Sequence, residues 1–425
     1  MDSVSRLRSF GVRQYLMRSP LRRLAVLLTL RKVLLLFFIW SIVEAQLVRN
    51  RIAQSERLFA SRPIRLDKSS RVFIASLHWN NEAILRSDWN RGVVELVNAL
   101  GPENVFVSVY ESGSWDDSKG ALRELDQVLE DTGVAKKIVL DKTTHEELIA
   151  GPPDEHGWVE APDFRMKLRR IPYLSRLRNL SLQPLLDLAE NGTTFDHVVF
   201  LGDVVFNTSD VITLLNTNYA HYAAACSLDF SKPPGFYDTF ALRDDDGHEY
   251  ASLTWPYFRS ASSRNAMVNG IPVPVSSCWN GIVAMPTSAF TGIKGLKFRG
   301  IDDELAQSHL EGSECCLIHA DNPASRTRGV YMNPHVRVAY NRAAYDRVHP
   351  RGSSWLSLFQ VWSGLWRNRL ARWLTTPRLK EYRIRRRLRL WEQEGAEKLE
   401  VREEPGDFCL INEMQVVVTN GWAHR

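Results

Sequence analysis

Between residues 71 and 340 the chain alternates short apolar runs with stretches of helical spacing. RVFIASL at Arg71–Leu77, NVFVSVY at Asn104–Tyr110 and AKKIVL at Ala135–Leu140 are short and rich in β-branched residues, which predicts buried strands. Between them, Glu82–Leu100 is closed by Gly101–Pro102, and Asp117–Asp131 carries Leu122, Leu125 and Leu129 at helical spacing before Gly133. Strand–helix alternation at this interval predicts βαβ units and a largely parallel sheet. A loop rich in Pro and Gly (Gly151–Pro162) precedes a long helical region, Arg165–Glu190, and DHVVFLGDVVF then predicts a strand at His197–Leu201. Further strands are predicted at Tyr222–Cys226, Phe236–Leu242, Gly281–Met285 and Tyr331–Val338.

The ends of the chain follow other patterns. Residues 24–48 are mostly apolar, with VLLLFFIWSIV (Val33–Val43) as the cleanest run, shorter than the roughly 20 residues a spanning helix prefers. Arg6, Arg8, Arg13, Arg18, Arg22, Arg23, Arg31 and Lys32 all precede that run, which places the amino terminus in the cytosol. The pattern predicts an uncleaved signal anchor with the rest of the chain luminal, in the Golgi or endoplasmic reticulum; a buried or interfacial helix is the competing reading. The resulting division is a basic tail (1–23), an anchor (24–48), a polar stem (49–70), a catalytic-sized α/β domain (71–350) and a C-terminal extension (351–425). In that extension Trp355, Trp362, Trp366 and Trp373 alternate with Arg367, Arg369 and Arg372. Such a helix can lie on a membrane or pack on the domain.

Charge sharpens this division. The net charge of +5 is unevenly spread: residues 1–70 hold 14 basic against 4 acidic residues and residues 351–425 hold 14 against 9, so the middle is acidic. An acidic middle excludes a nucleic-acid surface, whereas basic ends suit an anionic membrane. The five cysteines, Cys226, Cys278, Cys315, Cys316 and Cys409, show no zinc spacing, and their odd number leaves at least one thiol free. Three sequons stand at Asn179, Asn191 and Asn207.

The chemistry centres on FLGDVVFNTSDV (Phe200–Val211). A carboxylate directly after a buried parallel strand, here Asp203, lies at the sheet edge where ligands of open α/β folds bind. There it could hold a divalent cation against a diphosphate, or act as a turn or cap residue. In RRIPYLSRLRN, Arg170, Leu174 and Arg178 recur every fourth residue and share one helical face, so two guanidinium groups could grip a diphosphate. Trp279 and His319 could each equally be core residues.

Read in order, HWNNEAIL, YESGSWDDSKGAL, RIPYLSRLRN, FLGDVVF, FYDTFALRD, CWNGIVAM and ECCLIHADN resemble the fungal capsule-associated α-1,3-mannosyltransferases, glycosyltransferase family 69, over residues 71–340. The resemblance implies a GT-A-like Rossmann-type α/β fold with a mostly parallel sheet behind an N-terminal signal anchor. It further implies GDP-mannose as nucleotide-sugar donor, a glycan acceptor, a divalent cation (Mn2+ or Mg2+) and retention of anomeric configuration. By the same resemblance Asp203 and His319 would hold the metal, and Arg170 and Arg178 would face the diphosphate. Glu111 and Asp116 would touch the nucleotide, while Trp279, Asn280 and Asp321 would line the sugar or acceptor pocket. Asp203, Glu314 and Asp238 form the candidate catalytic set. One departure stands out: Gly202-Asp203-Val204-Val205 lacks the second carboxylate of Asp-x-Asp. That departure keeps a non-catalytic, membrane-anchored glycan-binding or scaffold role open beside the enzyme.

Overall fold

The computed structural model describes residues 20–61, 70–160, 165–292, 294–350 and 354–424, the side chains of residues 20–28 excepted. Most of the basic tail therefore lies outside the described residues, as does the stem from residue 62 to 69.

Nine strands build the central sheet: β1 (Val72–His78), β2 (Val105–Ser112), β3 (Ala135–Asp141), β4 (His197–Leu201), β5 (Ala224–Phe230), β6 (Arg243–Asp244), β7 (Val273–Ser277), β8 (Ile282–Pro286) and β9 (Val330–Ala339). Their spatial order is β3-β2-β1-β4-β8-β5-β9-β7-β6. Strands β3, β2, β1 and β4 run parallel, as do β5 and β9. Strand β8 is inserted antiparallel between β4 and β5, so that Ile282 opposes Leu201 and Val283 opposes Cys226. Near-continuous apolar runs made β1, β2 and β4 recognisable, because a sheet covered on both faces buries every residue. Helices α2 (Asn90–Leu100), α3 (Ser118–Thr132), α4 (Arg170–Glu190) and α5 (Thr208–Leu215) supply that cover.

Two expectations change here. The helix expected over Glu82–Leu100 contains a π-helical turn, Leu85–Trp89, which sends the buried Trp89 indole back to donate to the Gly202 carbonyl at 2.9 Å. The strand expected at Phe236–Leu242 is instead irregular. Asp238 Oδ1 accepts from the Phe240 amide at 3.0 Å, and the Asp229 carboxylate accepts from the Asp238 amide at 3.2 Å, so local side-chain bonding replaces a ladder.

The flanks pack on this domain more closely than the sequence indicated. Helix α1 (Pro20–Ala60) contains a segment long and apolar enough to cross a membrane, with Leu30 and Val33–Trp40 about half exposed. It continues unbroken into the expected stem, whose residues 49–60 are helical and pack on the domain. Arg49 donates to the Leu356 carbonyl at 3.2 Å, Glu56 pairs with Arg337 at 3.2 Å, and Phe59 stacks on His335. Helix α6 (Ala261–Asn269) lies beneath, where Ser55 donates to the Gly270 carbonyl. Near the C-terminus, α7 (Glu314–Asp321), α8 (Leu358–Leu374) and α9 (Arg378–Glu397) are followed by a hairpin, Gln415–Val418 with Gly421–His424.

Two disulfides fasten these parts. Cys226–Cys278 ties β5 to the segment before Trp279, and Cys316–Cys409 joins α7 to the C-terminal segment across 93 residues. A crosslink closing a loop of this size restricts the unfolded chain by about 4 kcal/mol. Replacing Cys316 and Cys409 together with alanine should therefore lower the unfolding free energy by about that amount. A denaturation series under non-reducing conditions checks it.

Candidate active site

A cleft of about 520 Å3 opens at the carboxyl ends of β1 and β4, the edge where ligands of open α/β sheets bind. Asp203 lies on its floor, two residues beyond the end of β4. Gly202 makes that position possible: its amide donates to the Gly281 carbonyl at 2.9 Å, and a Cβ on Gly202 would sit 2.7 Å from that same oxygen. Gly281 itself has φ +89°, a conformation that favours glycine. Asn81, from the HWNN turn after β1, donates Nδ2 to Asp203 Oδ2 at 3.0 Å. Burial pushes the Asp203 carboxyl up to about 6.

The opposite wall comes from α4. Arg170, Leu174 and Arg178 all line the cleft, as expected for residues on one helical face. Arg178 Nε donates to Glu314 Oε1 at 2.9 Å and its guanidinium lies 4.6 Å from the Trp279 ring centre. Arg170 makes no ion pair among the described residues. Its guanidinium stacks 3.9 Å from Trp422 and donates to Gln415 Oε1 at 2.5 Å, and burial lowers its proton affinity. A desolvated guanidinium without a carboxylate partner is suited to an anionic ligand.

Beside them, Asp238, Glu314, Cys315 and Tyr340 also line the cleft. Asp229, wholly buried under the floor, accepts from Asn280 Nδ2 at 2.9 Å and from the Tyr340 hydroxyl at 2.9 Å. Burial and then the neighbouring Asp238 push Asp229 upward, and burial raises Asp238 likewise. The Tyr340 hydroxyl is raised by burial and by the field of Asp229, Asp203 and Asp238. Asp229 accepts from that hydroxyl, while Asp203 and Asp238 line the same cleft and neither has an ion-pair partner among the described residues. Such a set of hard oxygen donors fits a divalent cation.

The cleft therefore gathers Asp203, Asp238, Glu314, Arg170, Arg178 and Trp279, with Asn280 directly beneath. Four other expected residues are elsewhere. His319 lies five residues along α7 from Glu314, about 140° around a helix of 3.6 residues per turn, and so faces away from the cleft. Its Nε2 bonds the Cys278 carbonyl at 2.7 Å, and burial lowers the imidazole to about 4. The sulfurs near it belong to the Cys226–Cys278 disulfide and are not free to ligate. Asp321 forms a two-pronged pair with Arg299 at 2.7 and 2.9 Å, which also holds Glu404. Glu111 is buried against Lys119 at 3.1 Å, and Asp116 accepts from the Glu82 amide and from Ser118. These last two build the turn after β2 and do not line the cleft.

Several cleft residues escaped sequence reading: Tyr340, Gln415, Trp422 and His424, with Asp229 below them. Asp229 lies near the end of β5, and Gln415, Trp422 and His424 belong to a C-terminal hairpin with no motif to flag it. The histidine that does line the cleft is His424, whose Nδ1 is paired with Glu413. Of the sequons, Asn179 exchanges two hydrogen bonds with the Phe298 backbone and Asn207 caps α5, whereas Asn191 is exposed at the end of α4.

Comparison with known proteins gives the family of the chain. The family model described as Cryptococcal mannosyltransferase 1 matches residues 71–321, more than half of the chain, and the chain belongs to that family. An α-1,3-mannosyltransferase of Cryptococcus neoformans is 26% identical over 296 residues, covering 66% of this chain and 60% of that protein's length. Among solved structures, a Pyrobaculum calidifontis mannosyltransferase in complex with GDP-mannose and Mn2+ aligns at 13% identity and a TM-score of 0.34, covering 86% of this chain and 78% of its own. Residues 1–349 of TarS from Staphylococcus aureus align at 10% identity and a TM-score of 0.33, covering 72% and 73%. The fold is a mixed α/β sheet with a mostly parallel half, behind a long apolar N-terminal helix.

A prediction follows from the Asp203 shift. Its native value of about 6 lies above the usual carboxylate value of 3.8, so the folded state holds the proton more tightly and stability falls as pH rises from about 4 to above 6. Asp203→Asn should then melt no lower than the parent at pH 7.5 in EDTA, with any advantage shrinking towards pH 4. Calorimetry across that range checks the sign.

Proposed function

We propose that the chain transfers mannose from GDP-mannose to a glycan acceptor, forming an α-1,3 linkage with retention, in capsule, cell-wall or glycoconjugate synthesis. The observation that carries this reading is that Asp203, Asp238 and the guanidinium of Arg170, which has no carboxylate partner among the described residues, line one cleft of a mannosyltransferase-family chain. Helix α1 would anchor the protein in a Golgi or endoplasmic reticulum membrane with the cleft on the luminal side.

Asp203 and Asp238 would hold a divalent cation, Mn2+ or Mg2+, with His424 at the mouth of the cleft as a further candidate ligand. Glu413 fixes the Nδ1 side of that imidazole, which leaves Nε2 for a ligand. When bound, the cation would neutralise the charge of the departing diphosphate. Arg170 would grip the diphosphate from the α4 side, and Arg178 would keep Glu314 in place. Trp279 and Tyr340 would frame the sugar.

The environment of the two candidate nucleophiles supports transfer without a covalent sugar–enzyme intermediate. Glu314 is bound to Arg178, and Asp238 holds its proton more tightly than a free carboxylate. Neither is primed to attack the anomeric carbon. In the front-face route the acceptor oxygen bonds to that carbon as the carbon–phosphate oxygen bond breaks, and the acceptor proton passes to the departing phosphate.

The single carboxylate of Gly202-Asp203-Val204 favours a second reading, a glycan-binding scaffold subunit. Thermal stability separates the two, since GDP with Mn2+ should raise the melting temperature only where a donor site exists. For the enzyme reading, Asp203→Ala should lower GDP-mannose turnover by at least about 100-fold, several kcal/mol of lost charge stabilisation, while the protein stays folded. Arg170→Ala should raise the KM for the donor about tenfold, since a charge-assisted contact is worth about 1.5–3 kcal/mol. Full activity of Asp203→Ala would refute the assignment.

A further inference from the structure

Helix α8 crosses α1 at a height where a spanning helix is still in or at the bilayer. Trp362 and Trp366 both donate their indole N–H to Ser41 Oγ, at 2.7 and 2.6 Å. Trp366 also packs on Phe37 with ring centres 5.2 Å apart, Trp362 on Phe38 at 6.3 Å, and Arg369 pairs with Glu44. The crossing therefore covers residues 37–44 of α1. A hydrocarbon core of about 30 Å takes roughly 20 helical residues. Counted from Leu24, such a span ends at about Val43; counted from Val33, just after Arg31 and Lys32, it ends at about Ile52. In the first register Ser41 lies near the outer edge of the span; in the second it is about the ninth of some 20 residues, near the middle.

The surface of α8 fits that position. Its inner face is closed against the domain: Val361 is buried, a Cβ on Gly364 would meet the Trp255 carbonyl at 2.1 Å, and Asn368 donates to the Phe258 carbonyl at 3.0 Å. Its outer face stays open. Phe359 is 70% exposed, Trp373 64% and Leu374 78%, with Leu370 and Arg367 between them. Large apolar and aromatic groups with interspersed arginine, left uncovered beside a membrane helix, match the composition of an interfacial helix.

We propose that α8 is a second membrane contact: it lies in the headgroup layer of the bilayer that α1 crosses, with Phe359, Leu370, Trp373 and Leu374 turned into the acyl boundary. This rests on the spanning reading of α1, in the register that begins at Leu24. Because α1 runs helically into the domain, the two helices would fix the height and tilt of the catalytic cleft above the membrane, leaving it no swing on a tether.

The test uses the full chain in phosphatidylcholine–phosphatidylserine vesicles, with an environment-sensitive fluorophore on a single introduced cysteine and spin-labelled lipids as quencher. Cys315 is changed to serine in the background. Labels at Phe359→Cys and Leu374→Cys should be quenched at least about twofold, as an interfacial helix requires, while Asn191→Cys stays unquenched. A label at Leu36→Cys reports α1 separately. Quenching at position 36 with none at 359 and 374 would overturn the proposal and leave the anchor intact. A blue-shifted but unquenched label at 374 would also overturn it, because a protein would then cover that face. No quenching at position 36 would overturn the spanning reading and this proposal together.

Discussion

The site depends on one uncomfortable balance: four acidic side chains, Asp203, Asp229, Asp238 and Glu314, are packed around one cleft that holds two arginines. Carboxylates removed from water and placed near each other resist ionisation. The fold answers each of them locally. Asn81 bonds Asp203, Asn280 and Tyr340 bond Asp229, a tight turn bonds Asp238, and Arg178 neutralises Glu314. What these contacts leave over is negative charge at the floor and a guanidinium on the wall. A site arranged this way is less stable empty than full, which is the expected cost of arranging charge in advance for a ligand.

The cleft is assembled from distant parts of the chain, and this explains the role of the C-terminal segment. The family match ends at residue 321, yet Tyr340, Gln415, Trp422 and His424 all reach the cleft. Three contacts draw that segment back to the sheet edge. Cys409 is bonded to Cys316 on α7, Glu404 shares Arg299 with Asp321, and Trp422 stacks on Arg170. Two of the three use residues of ECCLIHADN. That block, which looked like a ligand-binding motif, serves mainly as the fastening for a wall of the site, while its Glu314 alone turns inward with Cys315 beside it.

What could be read in the sequence follows from range. Strands β1, β2 and β4 are runs of buried residues, and the face shared by Arg170 and Arg178 is a matter of four-residue spacing; both are local and both were visible. His319 was misplaced because a helix rotates by about 100° per residue, so nearness to Glu314 in sequence says little about facing. Glu111 and Asp116 resemble ligand-binding acids in composition, but their partners, Lys119 and the Glu82 amide, are set by the turn they build. The polar spacing of residues 49–60 suggested a stem because the surface covering α1 comes from Arg337, His335 and Leu356, about 300 positions away.

The missing second carboxylate becomes intelligible once Val205 is located. In an Asp-x-Asp pattern it would be acidic, but here its amide donates to the Ala339 carbonyl at 2.6 Å and its side chain is wholly buried. The chain turns into the core immediately after Asp203. A carboxylate at 205 would be desolvated without a partner, which costs several kcal/mol, so the geometry itself forbids the pattern. Asp238 arrives at the same cleft from the loop after β5, and Asn280 and Asp229 hold the backbone on either side of its side chain. On the proposed reading, the pair of acids is preserved in space while its sequence signature is lost. The two carboxylates then sit on different segments, each held by its own hydrogen bonds, from Asn81 to Asp203 and from the Phe240 amide to Asp238.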